Sequence, residues 1–121
     1  MAVKLVLVDK SAFVRGVDAE GELCLCAVTR MELLYSARSG ADYERIGVAL
    51  GEFRELRMDA ETFATAATAQ RELADTGRHR VPIPDLLVAA CAQQHGADVL
   101  HVDRHFDVLA GVLAFTPVRP A

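Results

Sequence analysis

Apolar residues along this chain follow two rhythms. Short, nearly unbroken runs at Val3 to Val8, Glu22 to Cys26 and Asp98 to Val102 suit strands buried on both faces of a sheet. Two weaker runs, "ELRM" around Arg57 and Val112 to Phe115, predict further strands. Between them the apolar positions recur at helical spacing. One short helix carries Ser11, Ala12, Phe13 and Val14 and stops at Gly16; a second runs from Ala27 through Met31, Leu34 and Tyr35 to a terminator at Gly40. Tyr43 to Phe53 and the alanine-rich Ala60 to Thr76 are two more. Pro82 and Pro84 bar a helix from crossing "TGRHRVPIP", so the next helix is expected to open at Asp85 and close at Gly96, followed by a helical turn at Arg104 to Leu109. Strands alternating with helices, with no hairpin signal, predict an α/β fold: a parallel sheet of about five strands with helices on both faces. A length of 121 residues fits one domain spanning 1–121.

Carboxylates interrupt the most hydrophobic segments. Asp9 ends the first strand, Asp103 follows the fourth, Asp85 heads a helix, and Glu32 lies in the first two turns of the helix after the second strand. In an open parallel sheet, functional groups gather at the carboxyl ends of the strands, in the crevice where strand order reverses. That rule would bring all four acids together if the first and fourth strands are neighbours. Four clustered carboxylates raise one another's pKa, a conflict that a divalent cation removes. Oxygen donors favour the hard ions Mg²⁺ and Mn²⁺, and such a centre suits cleavage of a phosphodiester, most economically in a nucleic acid. Taken singly, Asp9 and Asp85 have plain structural readings as a strand end and a favourable charge at a helix N-terminus.

The formal charge of −4 argues against nucleic-acid binding by bulk positive charge but leaves room for a local basic rim. Arg78 and Arg80 lie in the loop before Asp85, and Lys10, Arg15, Arg30 and Arg104 sit near the acidic positions; phosphate contacts and solvated charge are the two readings of them. His101 and His105 are four apart, but the segment between them crosses a strand-to-turn junction, which disfavours a zinc pair. Three cysteines without a Cys-x-x-Cys pair point to buried, reduced thiols in a cytoplasmic protein, and no apolar stretch approaches the length of a membrane span. Met31, Leu34, Tyr35 and Phe53 form an apolar stripe suited to the core, a dimer contact or a partner surface.

Taken together, "LVLVDKSAF", the Glu32 of "AVTRMELLYSAR" and "IPDLLVAACAQQHGADVLHVDRHFDVLA" resemble a PIN-domain ribonuclease of the VapC toxin type, over essentially the whole chain. The resemblance implies an Mg²⁺- or Mn²⁺-dependent endoribonuclease whose acidic quartet is Asp9, Glu32, Asp85 and Asp103. Ser11 would hydrogen-bond within that site, and Asp107 would either assist the metal or cap its turn. It also implies an RNA substrate, a small VapB-type antitoxin and a homodimer. The antitoxin would be expected on the stripe of Met31, Leu34, Tyr35 and Phe53. Lys10 stands where Thr is commoner in such toxins, and His101 where an apolar or hydroxyl residue is. A phosphatase or phosphotransfer domain and a non-catalytic partner-binding module are the rival readings; the first wants a second Asp where Ser11 stands.

Overall fold

A computed structural model of the chain describes residues 3–13 and 19–120. Val14, Arg15 and Gly16, and with them the expected end of the first helix, lie outside the described residues. Five parallel strands form one sheet in the order β3-β2-β1-β4-β5. They are β1 (Leu5–Val8), β2 (Glu22–Leu25), β3 (Arg54–Glu55), β4 (Asp98–Leu100) and β5 (Pro117–Val118). The helices between them are α1 (Lys10–Phe13), α2 (Ala27–Tyr35), α3 (Gly40–Leu50), α4 (Ala60–Asp75), α5 (Ile83–His95) and α6 (His105–Leu109).

Side-chain alternation along β1 explains why the sheet is covered twice. Val6 and Val8 point to a core shared with Leu33, Leu34 and Leu50 of α2 and α3. Leu7 points the other way, to a core with Ala66, Ala69 and Leu73 of α4, Val88 and Ala89 of α5, and Phe106 of α6. Central β1 pairs with β2 on one side and β4 on the other, Leu7 opposite Cys24 and Val8 opposite Leu100. Strand order therefore reverses between β1 and β4, the neighbours the sequence required.

The larger boundary differences from the sequence expectation each have a local reason. Gly40 begins α3 instead of ending α2, because the Ser39 side chain accepts the Asp42 N–H as an N-cap. α3 accordingly ends at Leu50, and Phe53 lies beyond it. Helix α5 starts at Ile83, two residues before Asp85, since a proline in the first turn forfeits only an N–H that has no intrahelical acceptor. Gly96 closes that helix as expected, at φ +64°. The third strand lies at Arg54–Glu55, just before Arg57, with Leu56 N–H extending the ladder to Leu25 C=O. The last strand is Pro117–Val118 and not Val112 to Phe115: the latter run is apolar because Val112, Leu113 and Phe115 pack onto the core from a turn.

Candidate active site

Asp9 leaves β1 at its carboxyl end and is only 3% exposed. Its backbone N–H continues the ladder to Leu100 C=O at 2.9 Å. Its Oδ2 accepts the Ser11 N–H at 3.0 Å and the Ser11 hydroxyl at 2.7 Å, and Ser11 Oγ in turn accepts the Val102 N–H at 3.1 Å. Ser11 is thus a first-turn residue that ties Asp9 to the segment after β4. The other oxygen, Oδ1, is buried without a hydrogen-bond partner.

Three further acids reach the same edge. Glu32 comes from α2 on one face of the sheet and Asp85 from the first turn of α5 on the other. Asp103 follows β4 and stands just before α6, its Oδ1 accepting the His105 N–H at 2.9 Å. Glu32 Oε1 has no hydrogen-bond partner, nor has Asp85 Oδ2, which lies 3.3 Å from His105 Nδ1. The four carboxyl groups lie close enough to shift one another's ionisation. Burial, then the charges of Asp9 and Asp103, push Asp85 up to about 7, with Glu32 adding and His105 opposing. Burial and Asp9 also raise Glu32, which Lys10 opposes. Asp103 goes the other way: burial works against its charge, but the His105 N–H and the imidazole beside it outweigh that.

The residues present fit a divalent cation. Buried carboxylate oxygens from β1, α2 and α5 lack partners, an arrangement that costs free energy unless something positive meets them. Asp85, Asp103 and His105 also offer ligand atoms that all lie within 4.8 Å of one another. Sequence reasoning weighed His105 only as half of a zinc pair with His101. The spacing Asp103-x-His105 was the available signal, since an Asp that accepts the N–H two residues on brings that residue back over its carboxylate.

The other candidates separate. His101 is fully buried against Phe106, ring centroids 5.1 Å apart. Its Nδ1 accepts the Asp103 N–H at 3.1 Å, and burial depresses its pKa. Asp107 lies inside α6, turned to Arg119 at 2.8 Å and to His101 Nε2 at 3.8 Å, so it is neither among the clustered ligand atoms nor at the helix N-cap. Lys10 lines a 380 Å³ cavity with Met31, Glu32 and Tyr35. Arg30 is paired with Glu55 at 2.7 Å, whereas Arg78, Arg80 and Arg104 are exposed. The proposed stripe does not hold together. Met31 and Tyr35 are exposed, but Leu34 is buried in the core and Phe53 packs on Phe13 at 5.5 Å, because α2 turns that side to the sheet.

The chain has relatives among known proteins. The PIN domain family profile matches residues 6–112. Ribonuclease VapC17 of Mycobacterium tuberculosis is 38% identical over 117 residues, covering 88% of this chain and 87% of that protein. Ribonuclease VapC2 of the same species is 38% identical over 126 residues, covering 88% and 85%. Among solved structures, VapBC-5 of M. tuberculosis, a member of the VapBC family of toxin–antitoxin systems, superposes with a TM-score of 0.76 at 25% identity, covering 95% of this chain and 98% of that one.

An acid whose folded pKa lies above its ordinary value near 4 opposes folding once ionised. The penalty is absent below about pH 4 and grows to its full size above the folded pKa. With chelator present, Asp85→Asn is therefore expected to raise the melting temperature at pH 7.5, by about 3–6 °C for each kcal/mol relieved in a domain of this size. The gain should shrink as pH falls from 7 to 4. Calorimetry across that range checks it; a variant less stable than the parent at pH 7.5 would show that repulsion at Asp85 is not the dominant effect.

Proposed function

The chain belongs to the PIN-domain family, and from that membership we propose that it is a VapC-type endoribonuclease toxin, dependent on Mg²⁺ or Mn²⁺ and neutralised by a VapB-type antitoxin. The PIN domain is taken to span residues 1–121. The observation that carries the reading is the convergence of partnerless buried carboxylate oxygens on Asp9, Glu32 and Asp85 at the switch point of a parallel sheet.

In this reading Asp9, Glu32, Asp85 and Asp103 hold the metal. When bound, a divalent cation supplies Lewis acidity toward an attacking water and counter-charge for the phosphodiester. The protein's own part is orientation. Ser11 fixes the Asp9 carboxylate through Oδ2 and leaves Oδ1 to the site. The His105 N–H at the start of α6 fixes the Asp103 carboxylate, and the backbone of Asp103 is held in turn by His101. RNA enters over a rim of Lys10, Arg78, Arg80 and Arg104, whose point charges offset the repulsion between phosphate and acid cluster. Arg15 and Arg30 complete the candidate set, Arg30 at the expense of its pair with Glu55. Single-stranded loops suit such a site best, since only unstacked nucleotides can bring a phosphate into a crevice. The antitoxin is placed on the exposed Met31 and Tyr35 beside Glu32, and the homodimer uses apolar residues left exposed elsewhere, such as Tyr43 and Val48 of α3.

Asp9→Asn is expected to lower RNA cleavage by at least about 100-fold, the upper range for losing a group that supports a metal. Sequencing of RNA 5′ ends after incubation with Mg²⁺ checks this, and cleavage at the parental rate would remove Asp9 from the site. Arg78→Glu with Arg80→Glu should weaken RNA binding and flatten its salt dependence by about 1.4 in logarithmic slope if both contact phosphate. An unchanged slope would return both arginines to the solvated surface. Met31→Asp with Tyr35→Asp should keep cleavage yet escape inhibition by the antitoxin. Equal inhibition of parent and variant would move the antitoxin to another face.

A further inference from the structure

We propose that His105 is itself a metal ligand, through Nδ1, making the centre of this chain a mixed nitrogen–oxygen site that prefers Mn²⁺ to Mg²⁺ more strongly than carboxylates alone would. This rests on the reading that the acid cluster holds a divalent cation. Two acids of that cluster, Asp9 and Asp85, are 3% and 7% exposed, and each keeps an oxygen without a hydrogen-bond partner.

The distances carry the proposal. Nδ1 lies 2.8 Å from Asp103 Oδ1 and 3.3 Å from Asp85 Oδ2. Adjacent ligands of an octahedral ion bound at about 2.1 Å sit about 3 Å apart, so these separations are the ones a shared cation would impose. Nδ1 nevertheless counts among the buried polar atoms with no aligned hydrogen bond. An imidazole serving only to donate a proton would aim its N–H at one oxygen; this one stands between two.

The fold sets the ring there. The Asp103 carboxylate accepts the His105 N–H at 2.9 Å, and its carbonyl accepts the Phe106 N–H at 3.2 Å. Phe106 is fully buried in the core, so the helix cannot turn to take His105 away from the acids. Ligation through Nδ1 leaves the ring proton on Nε2. A nitrogen donor suits borderline ions, whereas Mg²⁺ favours oxygen throughout. His105 is also the one histidine of the four placed to do this. His101 Nδ1 already accepts the Asp103 N–H, His95 Nε2 is bonded to Arg57 C=O, and His79 is exposed in the loop before α5.

The test is pulsed electron paramagnetic resonance on the full chain, purified without its antitoxin and loaded with Mn²⁺, alongside Mn²⁺/Mg²⁺ competition titrations. The wild type is expected to show nitrogen modulation of the Mn²⁺ echo. His105→Asp, which restores an all-oxygen set, should lose the modulation and lower the Mn²⁺ over Mg²⁺ affinity ratio by about tenfold or more. Mn²⁺ bound without nitrogen modulation in the wild type would overturn the role of His105 and leave the acid site standing. Modulation persisting in His105→Asp would assign the nitrogen elsewhere and overturn it equally. No Mn²⁺ bound at all would overturn the metal site itself, and the proposal with it. The wild-type spectrum alone decides the matter should the variant fail to fold.

Discussion

Pairing of β1 with β4 is the constraint on which the remainder depends. Nothing local brings Asp9 beside the segment after Leu100; the parallel ladder does, and Asp9 N–H is its last rung. The Ser11 hydroxyl then continues the pairing beyond the strands, linking positions 91 residues apart in the chain. With β1 central and its side chains alternating between two cores, α2 and α5 are held on opposite faces, yet Glu32 and Asp85 meet at the common edge. A shift in β1 of one residue would exchange its two faces and misdirect every acid at once.

The acids were legible because they break pattern: a carboxylate at the end of a buried run needs a reason, and several in one order need a shared one. The strand and helix order was legible for the complementary reason, that period and punctuation agree along most of the chain. The misplacements have physical causes. Gly40 and Pro84 both look like breakers, but a capping serine ahead of one and the undemanding first turn of the other convert them into helix starts. Val112 to Phe115 is hydrophobic enough for a strand, and periodicity cannot separate a strand from a turn packed on the core. Leu34 and Phe53 looked like partner surface because helical spacing defines a stripe without saying which way it faces. His105 escaped notice for want of distances: its partners are Asp103, two residues away, and Asp85, twenty residues back along the chain.

The fold keeps an unfavourable arrangement at this edge and compensates for it nearby. Burial and mutual repulsion hold Asp85 far above its ordinary range, while His105 works against that rise and Lys10 does the same for Glu32. Among the described residues the cations are few and peripheral, so the repulsion is reduced and not removed. Such residual strain is what a binding site retains when affinity matters more than the stability of the empty protein. The compensating packing is ordinary: two apolar layers, with fully buried Phe106 immediately behind the most heavily charged corner.

The separation of the acids along the chain has a consequence for synthesis and turnover. Asp9 and Glu32 leave the ribosome long before Asp103 and His105, and β1 has no β4 to pair with until the later segment emerges. A nascent or stalled chain that lacks β4 therefore carries an incomplete cluster and no means of closing it. The same dependence acts in reverse during degradation. A single proteolytic cut that releases the segment from Asp98 onward removes Asp103, the His105 imidazole, the strand that pairs with β1 and the backbone partner of Ser11 together, and so disarms the protein at one stroke.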